Sequence, residues 1–137
     1  KQEYCCQVRK TRPHDELLKT ADCWISGPRR DQSSFRRDNT PKATTVTEHG
    51  PRRHVLKLNP MADWPEERLR QFIEKNDLPT HPLYAQGYRS IGCFICSTPT
   101  RPDEPKRAGR WRWFNSDEIA SEEDLKECGL HIPMYNI

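Results

Sequence analysis

Short strands and short helices alternate along this chain, and that alternation predicts an α/β fold. Two observations carry it. Brief apolar stretches end in glycine or proline turns, and one amphipathic helix has clear start and stop signals. At 137 residues the chain is one domain at most. Hydrophobic residues make up 33% and charged residues 31%, so any core is modest beside its surface.

Taken in order, His14 to Ala21 reads as a short helix with Leu17 and Leu18 as its apolar contacts. Asp22-Cys23-Trp24-Ile25-Ser26-Gly27 reads as a short buried strand closed by a glycine turn, with Cys23 a small buried apolar residue. From Pro28 to Gly50 the chain is polar, basic and poor in aliphatic residues, which predicts a long loop over a binding site. His54 to Leu58 is the next strand, closed by Asn59-Pro60.

The clearest helix follows. Asp63 suits the N-cap, Pro65 the first turn, and Glu66 stands three residues after the cap as in a capping box. Leu69, Phe72 and Ile73 fall at helical spacing and read as ordinary core, and Pro79 stops the helix. Gly87 to Gly92 leads into a Cys-x-x-Cys turn, and Pro99 to Gly109 is a charged, proline-bearing loop. Trp111, Trp113 and Phe114 form an aromatic strand candidate, and a last short helix from Ser121 carries Leu125 toward Cys128.

Cysteines divide into two groups. Cys5-Cys6 and Cys93-x-x-Cys96 have the look of a sulfur ligand set for a metal. Neighbouring Cα atoms lie about 3.8 Å apart, closer than the ~4.4 Å an ordinary disulfide needs, so Cys5 and Cys6 are poor partners for each other. Structural zinc usually takes ligands two to four residues apart, whereas a cubane spreads its irons so that adjacent thiolates reach different corners. A [4Fe–4S] centre therefore ranks ahead of zinc, and zinc ahead of bridges from each of Cys5 and Cys6 to Cys93 and Cys96. Cys128 is left over, within Glu127-Cys128-Gly129-Leu130-His131. There a thiol serves better as a nucleophile, with His131 placed to hold an anion or the thiolate.

The formal charge of +3 hides an asymmetry. Residues 1–57 hold 13 Lys and Arg against 7 Asp and Glu, while residues 111–137 hold 2 against 6. Arginine forks suit phosphate and sulfate oxygens, which points to an anionic ligand; a solvated basic surface accounts for about half of these residues. No stretch approaches the apolar length of a membrane span, and no basic-then-apolar signal opens the chain. It begins with Lys1 directly before the cysteine pair, so it reads as a piece of a longer protein.

Seven motifs occur in one order: Cys5-Cys6-x-x-Arg9-Lys10, Trp24-Ile25-Ser26-Gly27, Arg30-Asp31-Gln32-Ser33, Asn59-Pro60-x-Ala62-Asp63-Trp64, Gly92-Cys93-x-x-Cys96, Arg107-Ala108-Gly109-Arg110-Trp111 and Glu127-Cys128-Gly129-Leu130-His131. Together they resemble the assimilatory adenylyl-sulfate (APS) and phosphoadenylyl-sulfate (PAPS) reductases over nearly the whole chain. Both cysteine pairs are present, which resembles the iron–sulfur, APS-using branch.

That resemblance implies the C-terminal half of an adenine nucleotide alpha-hydrolase-like (PP-loop) domain. Residues 1–114 would be reductase domain with the cluster cysteines, and 115–137 a long catalytic tail. It implies a cytoplasmic enzyme of sulfate assimilation and cysteine biosynthesis that reduces adenylyl sulfate to sulfite and AMP. Cys128 would be the nucleophile, forming an S-sulfocysteine that thioredoxin or glutaredoxin resolves. Cys5, Cys6, Cys93 and Cys96 would hold a [4Fe–4S] cluster. Lys10, Arg107, Arg110 and His131 would surround the sulfate and phosphate groups, joined by Arg36 or Arg37. The family's Ser-Gly-Gly-x-Asp-Ser-like phosphate loop has no counterpart in this sequence, so the chain alone is expected to be inactive. Nucleic acid and membrane are not expected as partners. Competing readings are a PAPS reductase and a zinc-binding module with arginines on nucleic-acid phosphates.

Overall fold

A computed structural model describes residues 2–47 and 54–113 of the chain. They fall into two units that divide at Pro65 and Glu66, within the stretch the sequence reads as one domain. The expected boundary at residue 114 lies at the edge of the described residues, and the expected last helix, Phe114, Cys128 and His131 lie outside them.

The first unit opens on a helical run: α1 (Gln2–Cys6), a π turn (Gln7–Thr11) and α2 (Arg12–Leu18). Cys5 and Cys6 thus sit on regular structure, and the helix expected from His14 begins earlier. Pro13 has no N–H for an α-helical bond to the preceding turn, and the widened π turn comes immediately before it. Leu18 is buried, but Leu17 is 68% exposed and contributes little to the core.

Three strands form a mixed sheet in the order β1 (Cys23–Ile25), β3 (His54–Leu58), β2 (Ala43–Thr47). β1 runs parallel to β3, with Trp24 beside Lys57, and β2 runs antiparallel to it, with Thr44 opposite Lys57. Val55, on the central strand, is fully buried. The strand at Cys23 is correctly placed, but its expected burial fails. β1 is an edge strand, and its alternate residues Cys23 and Ile25 share a face that stays exposed.

The long loop expected from Pro28 to Gly50 is largely regular structure. It holds a 3₁₀ turn (Arg30–Gln32), α3 (Ser34–Asn39) and strand β2. Its aliphatic poverty misleads because α3 is anchored by polar groups: Ser33 caps it, its Oγ accepting from Arg36 N at 3.2 Å.

The second unit opens on α4 (Glu66–Lys75), close to the expected helix. Its stripe is less buried than ordinary core would be, with Phe72 45% exposed. Asp63 does not cap it; that carboxylate pairs with Arg30 and Lys42 within the first unit. The helix ends before Pro79, where Asp77 takes a left-handed conformation at φ 48°. Two 3₁₀ turns follow, Pro82–Gln86 and Phe94–Cys96. Among the described residues 111–113 no aromatic strand forms. Trp111 instead adopts φ 53° and is 1% exposed, the buried centre of this unit, while Trp113 is 69% exposed. Left-handed backbone interrupts the extended run a strand needs.

Candidate active site

Each unit carries part of the predicted site. In the first, Cys5 and Cys6 are half-buried at the end of α1. Lys10 follows one turn later, half-buried in the π turn, a distortion that recurs at functional sites.

Arg36 and Arg37, equivalent candidates in the sequence, separate in the fold. Arg37 is exposed. Arg36 lines a shallow cleft with Pro28, Phe35, Asn39, Thr40, Lys57 and Asn59. Gln32 anchors it, its Oε1 accepting from Arg36 Nη1 and from Arg29 N at 3.0 Å. Arg29, itself buried, holds Asp31 through Nε at 2.9 Å and Nη2 at 3.3 Å. The Asp-Gln-Ser motif is therefore local scaffolding that fixes where Arg36 stands.

Lys57 was not singled out in the sequence. Its ammonium lies 4.2 Å from the centre of the Trp24 ring, a cation–π contact. Burial, and then the nearby Arg36 charge, lower its pKa from the ordinary lysine value. A lone lysine in a Val-Leu-Lys-Leu strand was the available signal.

In the second unit the Cys-x-x-Cys turn is held from several sides. Cys96 N donates to Cys93 O at 2.9 Å. The Ser97 hydroxyl accepts from Gly92 N at 2.9 Å and donates to Cys93 O at 3.1 Å. Arg110 is 7% exposed and donates through Nε to Cys96 O at 3.3 Å and through Nη1 to Ile91 O at 3.2 Å. Its guanidinium also lies 4.4 Å from the centre of the Trp111 ring. Trp113 Nε1 reaches Ile95 O at 3.2 Å. With these carbonyls engaged, the turn presents its two sulfurs: Cys93 is exposed and Cys96 half-buried. Arg107 is also buried.

None of the five described cysteines is in a disulfide. Within each unit, among the described residues, no three His, Cys, Asp or Glu side chains gather around a common point. The four candidate ligands are all thiols, Cys5 and Cys6 in the first unit and Cys93 and Cys96 in the second, a donor chemistry that suits a soft metal centre better than a hard cation. Among the described residues no helix is long and apolar enough to cross a membrane.

Comparison with known proteins defines the class. Residues 1–99 match the phosphoadenosine phosphosulfate reductase domain, and the chain belongs to that family. It is 41% identical over 93% of its length to an adenosine 5'-phosphosulfate reductase of Rhizobium tropici, covering 64% of that protein. It is similarly 41% identical to the protein of that name from Agrobacterium fabrum, covering 45% of it, and 39% identical to one from Neisseria meningitidis serogroup A, covering 47%. The chain thus spans from under half to under two thirds of the relatives it matches.

Proposed function

We propose that this chain belongs to a cytoplasmic enzyme that reduces adenylyl sulfate to sulfite and AMP with electrons from a thioredoxin or glutaredoxin dithiol. What carries the reading is the 41% identity to an adenosine 5'-phosphosulfate reductase over 93% of the chain, with both cysteine pairs inside residues 1–99 that match the family domain.

In this reading the Cys128 thiolate attacks the sulfur of the substrate. A sulfur–sulfur bond forms, the sulfur–oxygen bond breaks, and AMP leaves with the electron pair. A redoxin thiolate then attacks Cys128 Sγ and sulfite departs. The redoxin's second thiol completes its own disulfide and returns Cys128 as a thiol, so the dithiol supplies both electrons. Approach of one anion to another demands surrounding cations. Lys10, Arg36, Arg107, Arg110 and His131 fill that role, with Arg110 also bracing the Cys-x-x-Cys turn.

Cys5, Cys6, Cys93 and Cys96 would hold a [4Fe–4S] cluster. Bound there, it would supply a fixed charge rather than electrons. The deciding experiment supplies full-length protein with adenylyl sulfate and reduced thioredoxin and measures sulfite. Sulfite formation from adenylyl sulfate supports the assignment; turnover of phosphoadenylyl sulfate alone, or of neither, overturns it.

A further inference from the structure

Among the four candidate thiol ligands, Cys93 alone is exposed. Cys5 and Cys6 lie on α1, whose repeating backbone fixes where their Cα–Cβ bonds point. Cys96 closes the 3₁₀ turn, but Cys93 precedes it in extended backbone, at φ −64° and ψ 146°. No helix or strand ladder holds it.

One hydroxyl does. Ser97, 8% exposed, has its Oγ accepting from Gly92 N at 2.9 Å and donating to Cys93 O at 3.1 Å. These two bonds close a ring that contains φ and ψ of both Gly92 and Cys93. They therefore set the direction in which the Cys93 side chain leaves the backbone. A hydroxyl suits the place because one atom both donates and accepts. Ser97 is itself fixed, its N donating to Phe94 O at 3.4 Å and its backbone bridging to Arg110. The Gly92-Cys93-x-x-Cys96 motif stops one residue before it.

We propose that Ser97 is a positioning residue for the thiolate centre, its hydroxyl holding Cys93 in place for the metal. Losing the hydroxyl then loosens metal binding without removing a ligand. Side chains that orient a metal's ligands commonly account for about 10- to 100-fold of its affinity. The proposal rests on the reading of Cys5, Cys6, Cys93 and Cys96 as ligands.

The test follows iron and labile sulfide leaving full-length protein in excess chelator. Ser97→Ala is expected to lose both about tenfold faster than wild type. Ser97→Thr keeps the hydroxyl and is expected to stay near the wild-type rate. Thr100→Val controls for general loosening, since Thr100 Oγ1 bonds to Gly87 O at 3.4 Å, outside the ring. It is expected to release iron as wild type does. Equal release by Ser97→Ala and wild type overturns the proposal. So does release by Ser97→Thr as fast as by Ser97→Ala, or equal acceleration in Thr100→Val.

A wild-type measurement stands even if Ser97→Ala fails to fold. In iron-free full-length protein the Gly92 amide is expected to exchange at least about tenfold more slowly than an unstructured amide. Exchange at the unstructured rate overturns the proposal. Failure of the cluster reading looks different: wild-type protein then holds zinc without sulfide. Zinc released about tenfold faster from Ser97→Ala still supports Ser97 as the brace. Protein that binds no metal overturns both.

Discussion

Arg112 grips Glu104 by both carboxylate oxygens, Nη1 standing 2.9 Å from Oε1 and Nη2 3.0 Å from Oε2. The same guanidinium donates through Nε to Thr98 Oγ1 at 3.0 Å and through Nη2 to Pro99 O at 3.2 Å. This fork ties the segment after Cys96 to the segment carrying Arg107 and Arg110.

The Arg112 hydrogen bond, followed by the one from Arg101 N, lowers the Glu104 pKa to about 2 from 4.5. A carboxylate with a depressed folded pKa adds stability above its unfolded value and loses it as pH falls toward the folded one. Wild-type protein is expected to lose stability across the interval from 4.5 down to about 2, and Glu104→Gln to show a shallower loss there. Urea midpoints measured across that interval check it.

Gly92 and Gly109 sit against different neighbours. A side chain at 92 meets the Arg110 guanidinium, whereas one at 109 meets the backbone carbonyl of Thr98. Since the backbone there is fixed by Thr98 N donating to Gly109 O at 2.9 Å, it has less room to give. Gly109→Ala is expected to cost ~1–3 kcal/mol, as overpacking does, and more than Gly92→Ala. Equilibrium unfolding of the two variants decides the order.

Trp111→Ala is expected to cost ~3–5 kcal/mol, the usual range for emptying a buried tryptophan site. Trp111→Phe should fall between it and wild type. Denaturant unfolding followed by circular dichroism measures both.

Replacing any of Cys5, Cys6, Cys93 or Cys96 with Ser is expected to lower bound iron and labile sulfide together, because each thiolate would take its own corner of the cluster. Metal and sulfide analysis of purified protein reads this out. Stoichiometric zinc without sulfide would instead favour the zinc-binding reading.

Cys128→Ser is expected to keep nucleotide binding and the iron–sulfur absorbance while abolishing sulfite formation. Sulfite production retained by that variant removes Cys128 from the nucleophile's role.

The α/β class, the strands at Cys23 and His54 and the helix before Lys75 were legible because their apolar spacing and turn residues are local signals. The stretch from Pro28 to Gly50 was misread as loop for a physical reason. α3 and β2 draw their order from Ser33, Gln32 and sheet pairing with β3, which apolar periodicity does not register. Asp63 carried every mark of an N-cap, yet Arg30, far away in sequence, and Lys42 engage its carboxylate instead.

By itself the sequence determined the family, since motif order and cysteine spacing are written directly in the chain, and both survive without knowledge of any contact. Only the tertiary structure decided which side chain does what locally. It set Arg36 rather than Arg37 on the cleft, turned Arg110 onto the carbonyls around Cys93–Cys96, and brought the Lys57 ammonium over the Trp24 ring. Those roles depend on burial and on partners distant along the chain, and neither is encoded in the spacing of residue types.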